Sequence, residues 1–179
     1  MGGEGGAPTR LTARRQAAYD RAMSNLTDTY IHGQRSPDGA WRFRLPITVR
    51  FSDMDTFGHV NNAVYLTYAE SARIAYFRQL EATESATQMD MILGRSEVDY
   101  RLPVVFGDHL AVQVRAVAIG SKSFTLAYRM TVERAGQTLL ACEARTVLVC
   151  YSYATARSVP VPPDLIAALE AFEGQTLRG

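Results

Sequence analysis

The chain has 179 residues, 47% of them hydrophobic, and its 19 lysines and arginines against 18 aspartates and glutamates leave a formal net charge of +1. That length supports one core with at most an appendage, and the balanced charge excludes the global positive field of nucleic-acid or anionic-membrane binders. No apolar run reaches the length of a membrane span and no signal-peptide stretch opens the chain, so a soluble cytoplasmic protein without nucleic-acid partners is expected.

The opening MGGEGGAP offers nothing to pack and reads as a flexible tail. Thr9–Leu26 has helix-forming composition, and HGQRSPDGA follows with the chemistry of a linker. Residues 1–40 are therefore expected to form a flexible N-terminal extension with a short helix, ahead of a single domain over 41–179. The arginines of this leader suit an organelle-targeting peptide, but Glu4, Asp20 and Asp28 do not.

From Trp41 the period changes to two. Trp41, Phe43, Leu45, Ile47, Val49 and Phe51 are apolar, with Arg42, Arg44, Thr48 and Arg50 between them, as in a strand with one buried face. Pro46 donates no ladder hydrogen bond, which points to an edge or a kink. The stretch DMDTFGHVNN follows, from Asp53 to Asn62, and after it comes NNAVYLTYAESARIAYFRQLE, free of proline and glycine. Val64, Tyr68, Ala72 and Ala75 fall on one helical stripe, and Tyr65, Ala69, Ala72 and Tyr76 on its neighbour, so the apolar surface is broad and the helix is built to be wrapped. Asn61 or Asn62 can cap it.

Four more strand signals follow: MILGRSEVDYRLPV, DHLAVQVRAVAIG, KSFTLAYRMTVE and QTLLACEARTVLVCYSY. The junctions IGSKS and RAGQ are tight-turn chemistry, so the last three should form an antiparallel meander. Cys142 and Cys150 sit eight residues apart on the last strand, about 26 Å at about 3.3 Å per residue. A disulfide tolerates about 7 Å, so they are expected to be buried free thiols. Pro163 and Asp164 suit the first turn of a short C-terminal helix. A long apolar helix between a first strand and an antiparallel set belongs on the concave face of a curved sheet. The expected fold is α+β, a hotdog: a central helix wrapped by a curved antiparallel sheet of five strands.

The stretch VRFSDMDTFGHVNNAVYLTYAESAR closely resembles the signature of the hotdog acyl-CoA thioesterases of the 4-hydroxybenzoyl-CoA thioesterase type. The fixed positions are filled by Asp53, Asp55, Gly58, His59, Val60, Asn61, Asn62, Tyr65, Tyr68, Glu70, Ala72 and Arg73. YRLPVVFGDHL extends the likeness, which covers roughly Trp41 to Tyr153. The resemblance implies hydrolysis of an acyl-CoA thioester, with Asp55 at the position of the catalytic aspartate, acting as nucleophile or general base. Such chemistry needs an activated oxygen and donors for the developing oxyanion, which amides at a helix N-terminus can supply. Those around Gly58 to Asn62 are the candidates.

Asp53 is expected to be structural, bonding loop amides. Gly58 allows a sharp turn and close approach of substrate. His59 is assigned to support or substrate positioning, and Asn62 to a thioester or water contact or to capping. Val60, Asn61, Tyr65, Lys122 and Ser123 are expected at the substrate, Lys122 and Ser123 where the family meets the phosphates of coenzyme A. Glu70 is a rival carboxylate, though Arg73 at helical spacing offers it a salt bridge. No nucleophile elbow, P-loop, dinucleotide fingerprint or metal-ligand spacing is visible, so no cofactor or metal is expected. The resemblance also implies a homodimer or homotetramer with the pocket at the dimer interface. An acyl-carrier-protein thioesterase and a non-catalytic acyl-thioester binding protein are the alternatives.

Overall fold

Alternation becomes a ladder at Phe43. The structure, a computed structural model, describes residues 33–35, 39–80 and 90–179. The expectations for residues before Gly33 lie outside these. Two short strands flank five long ones: β1 (Gln34–Arg35), β2 (Phe43–Thr48), β3 (Met91–Tyr100), β4 (His109–Ile119), β5 (Ser123–Arg134), β6 (Gln137–Ser152) and β7 (Arg157–Ser158). Helix α1 spans Asn62–Gln79 and α2 Pro163–Glu173. The sheet order is β1-β2-β4-β5-β6-β3, with β7 on β6 and every pairing antiparallel.

The expected hotdog architecture and the β4–β5–β6 meander are present. Two details differ from expectation. Gln34 and Arg35 pair with Arg44 and Phe43, so the sheet begins inside the stretch read as linker. A polar two-residue strand has no alternation to betray it, but Gly33 beside it marks close approach: a Cβ there would collide with the Phe43 ring. Within the β2 stretch, Phe43, Leu45, Ile47 and Val49 are buried as expected, whereas Trp41 and Phe51 leave that face. The strand stops at Thr48, and Phe51 opens a 3-10 turn with its ring 80% exposed. Trp41 precedes the strand and lies under the guanidinium groups of Arg115 and Arg129, at 5.6 and 5.3 Å from its centroid. Pro46 opposes Ala111 on one side, and β1 reaches only Arg44 and Phe43 on the other, so it occupies the edge expected of it.

Helix α1 buries Tyr65, Tyr68, Ala69, Ala72, Ala75, Tyr76 and Phe77. Its alanines bring the backbone close to the sheet, and aromatic rings fill the flanks: Phe43 meets Tyr76 at 5.7 Å and Phe77 meets Phe124 at 5.9 Å. The opposite side, with Asn62, Ala63, Leu66, Thr67 and Glu70, is exposed. The helix rests on β2 and β4, and one chain's sheet covers only that side. Helix α2 locks the far end of α1 to the sheet. Its buried Glu173 accepts from the Tyr76 hydroxyl (2.6 Å) and from the Ala116 amide (3.0 Å), which sits at a bulge in β4.

Strand β3 has one hydrogen-bonded neighbour, β6, and a register shift at Gly94. Its outer edge is open among the described residues, and Ile92, Leu93 and Tyr100 expose much of their apolar surface. Cys142 and Cys150 are buried and lie outside any disulfide among the described residues, as expected.

Candidate active site

The loop after β2 is drawn shut by backbone bonds. Met54 and Val60 form an antiparallel bridge, the Asp55 amide donates to the His59 carbonyl (2.7 Å), and the Gly58 amide donates to the Asp55 carbonyl (3.2 Å). Gly58 takes a φ of +79°, a conformation that L side chains adopt only with strain. Asn61 then caps α1, its side-chain oxygen accepting from the Ala63 amide at 2.9 Å.

The two acids of this loop have opposite surroundings. Asp53 is 3% exposed and fully engaged. It accepts from the Arg50 amide (2.9 Å), the Arg50 guanidinium (3.0 Å to Nη2) and the Tyr68 hydroxyl (2.7 Å). Burial alone would raise its carboxyl, but these donors outweigh it and hold the group below the usual aspartate range. Burial, with the same carboxylate, pushes the Tyr68 hydroxyl well up. The Asp53 carbonyl accepts the Asn61 amide at 2.9 Å, so the acid fixes the loop to the helix start.

Asp55 is half-buried, and its Oδ1 accepts from the amides of Phe57 (2.8 Å) and His59 (3.3 Å). Its Oδ2 has no donor among the described residues. Asp55 lines an open cleft of about 820 Å³ together with Phe51, Met54, Gly58, Asn61, Val105 and Phe106. The loop therefore orients one carboxylate oxygen and leaves the other for a ligand.

The amides expected to bind an oxyanion are mostly occupied. Gly58 donates to Asp55, His59 to the Asp55 side chain, Val60 to the Val104 carbonyl (2.8 Å) and Asn61 to Asp53. Within the Gly58–Asn62 run, only the Asn62 amide has no acceptor among the described residues; it is the first residue of α1, where amides are unpaired by geometry. The Asn62 carbonyl accepts the Tyr100 hydroxyl at 2.9 Å, which ties the end of β3 to this turn.

Of the other expected site residues, Val60 is buried beneath the cleft and His59 is exposed. Tyr65 is buried, with its hydroxyl at 3.4 Å from the Val104 amide and its ring against Tyr68 and Tyr100. Glu70 pairs with Arg73 at 3.3 Å on the exposed side of the helix, as its spacing suggested. Lys122 and Ser123 are not brought to Asp55 within one chain. Thr48, just before the loop, pairs with His109 at the start of β4, whereas Lys122 follows the end of that 11-residue strand. The separation along the strand is about 33 Å. The Lys122 ammonium instead donates to the Ser158 carbonyl at 3.2 Å.

Sequence reasoning missed the far wall of the cleft. Asp108 accepts the Val105 amide (2.8 Å) and the Arg134 Nε (2.9 Å), and Arg134 Nη2 donates to the Pro103 carbonyl at 2.8 Å. The Arg134 guanidinium, against some desolvation, holds the Asp108 carboxyl below the usual range. The available signal was VFGD, a turn with an aromatic residue beside its acid, but its partner Arg134 lies 26 residues away in sequence.

Residues 49–169 match the model of the Thioesterase-like superfamily. The long-chain acyl-CoA thioesterase FadM of Escherichia coli (strain K12) is 30% identical over 129 residues, which cover 69% of this chain and 94% of that protein. An uncharacterized protein of Bacillus subtilis (strain 168), YsmA, is 37% identical over 89 residues, half of this chain and 60% of that protein. Among solved structures, a thioesterase from Thermus thermophilus complexed with coenzyme A and Zn superposes with a TM-score of 0.65 at 36% identity, covering 75% of this chain and 96% of that one.

Proposed function

The chain belongs to the Thioesterase-like superfamily, and on that premise we propose that it hydrolyses an acyl-CoA thioester to the free acid and coenzyme A, with Asp55 as the principal catalytic group. One observation carries the reading: an aspartate with one oxygen held by loop amides, and the other without a donor among the described residues, lines an open cleft beside the capped end of α1. A thioester has an electrophilic carbonyl and a good leaving group, so little more is required. The Asp55 carboxylate attacks the carbonyl carbon directly, forming a mixed anhydride that water then cleaves to the free acid and regenerated Asp55, or it deprotonates a water that attacks in its place. The thiolate of coenzyme A departs, and the Asn62 amide, at the positive end of the helix dipole, stabilises the oxygen as charge develops on it. Asp53 and Tyr68 hold the loop in place, and His59, exposed at the turn, acts in substrate positioning.

The functional unit is a dimer in this reading. The open edge of β3, with its exposed apolar side chains, can pair with the same strand of a second copy, which removes an aggregation-prone edge. A second copy also reconciles Lys122 and Ser123 with substrate binding, because one chain holds them at the wrong end of β4.

The test is free-thiol release from a panel of short, long, branched and aromatic acyl-CoAs by the native protein and by Asp55→Asn, with the oligomeric state measured by light scattering. Turnover that falls by about a hundredfold in the variant is expected, the scale for losing a principal catalytic group. A folded dimer that releases thiol from no member of the panel would overturn the assignment.

A further inference from the structure

Phe51 and Phe106 leave 80% and 60% of their surface in solvent, although nothing in the fold requires large rings there. They meet edge-to-face, with centroids 6.1 Å apart at 85°, and both line the cleft that contains Asp55. Met54 and Val105 continue this apolar side, Thr56, Gly58 and Asn61 line the side of the catalytic loop, and Asp55 is the sole charged member of the lining. The wall is built to stay where it is. Asp108 and Arg134 brace the loop from the sheet side through Pro103 and Val105, and the Val60 amide bonds the Val104 carbonyl from the catalytic-loop side. An exposed apolar surface fixed at both ends is preorganised for a ligand and loses little further freedom when one binds.

We propose that Phe51 and Phe106 are specificity-determining residues that hold the apolar acyl portion of the substrate, and that the Asp108–Arg134 pair is the positioning device for Phe106. The inference rests on the thioesterase reading for the nature of its ligand. An electrophilic carbonyl within reach of Asp55 places its own substituents in this cleft, and the cleft offers those substituents rings and no cation. The lining holds no lysine or arginine to offset the charge of the coenzyme A phosphates, and its rings suit an apolar group, so the acyl group is the occupant.

The experiment separates this inference from the hydrolase assignment. S-Alkyl-CoA thioethers of graded length and shape lack the carbonyl and cannot be hydrolysed, so their dissociation constants report binding alone. They are measured by calorimetry with the native protein, Phe106→Ala, Phe106→Leu and Arg134→Met, alongside kcat and KM on the corresponding acyl-CoAs. The native protein should spread its affinities across the series by about ten- to a hundredfold, the range that hydrophobic pockets reach. Phe106→Ala should compress that spread to within about threefold, and Phe106→Leu should restore part of it. Arg134→Met should raise KM with a smaller change in kcat, because it loosens the wall and leaves Asp55 in place.

Affinities that spread for the native protein and collapse in Phe106→Ala, with no hydrolysis of any acyl-CoA, support the wall and defeat the hydrolase assignment. Hydrolysis with an unchanged spread in Phe106→Ala defeats the wall alone. A uniform loss across the series that includes free coenzyme A, or a dimer that dissociates in Phe106→Ala, assigns the rings to the coenzyme arm or to a subunit contact and overturns the inference.

Discussion

Asp53 and Asp55 are two residues apart on one loop, yet only one of them is left anything to do. Asp53 is sealed by a guanidinium, an amide and a hydroxyl, whereas Asp55, at the wall of a cleft, keeps one oxygen clear of donors among the described residues. The difference comes from the hydrogen-bond supply of the surroundings and not from the residue type. Saturation makes a carboxylate a brace; incomplete saturation in a fixed orientation leaves it able to take a further partner.

Substitutions at the two acids should therefore fail in opposite ways. Asp55→Asn should reduce turnover by about a hundredfold or more while leaving stability within about 1 kcal/mol, since an amide oxygen still accepts from Phe57 and His59. Urea denaturation beside thiol release checks both halves. Asp53→Asn should cost about 2 kcal/mol of stability, less than a fully buried pair because Arg50 is half in solvent and can rehydrate. Its midpoint in urea should fall without a change in slope.

Acid sharpens the contrast. The Asp53 carboxyl is held below its unfolded value, so its contribution to stability is complete above the ordinary aspartate range, about pH 4, and is lost as pH falls through the folded value. Subtracting the pH–stability curve of Asp53→Asn from that of the native protein should leave a difference that shrinks on acidification. Tyr68→Phe removes one donor from the brace and should cost about 1 kcal/mol. Gly58→Ala should cost about 1 kcal/mol through backbone strain at its φ of +79°, with no added clash because open space surrounds the position. Thermal unfolding resolves both.

Much of the fold was legible because burial leaves a period in the sequence. The alternation from Phe43 to Val49 and the stripes of α1 report which side meets the sheet, and both appear in the structure. The strand β1 was not legible, because two polar residues on an edge carry no period. The different roles expected of Asp55 and Asp53 were legible through the resemblance of the motif, but the contacts that set the two acids apart were not, since those depend on Arg50 and Tyr68 folding onto one acid and away from the other. The same limit hid the Phe106 wall, whose brace joins residues distant in sequence. It also hid the occupancy of the loop amides, which reduces the expected oxyanion donors to Asn62.

The two cysteines of β6 offer an internal clock for the sheet. Both thiols are buried, and desolvation pushes that of Cys142 up to about 12, so neither reacts with a disulfide reagent while the strand stays covered. Cys142 lies opposite Tyr100 and Cys150 opposite Met91, at the two ends of the outermost strand. Their labelling rates would therefore time the peeling of β3 from each end separately. If a second copy clamps that strand, both clocks should slow as protein concentration rises, and the end that slows more marks where the clamp grips harder.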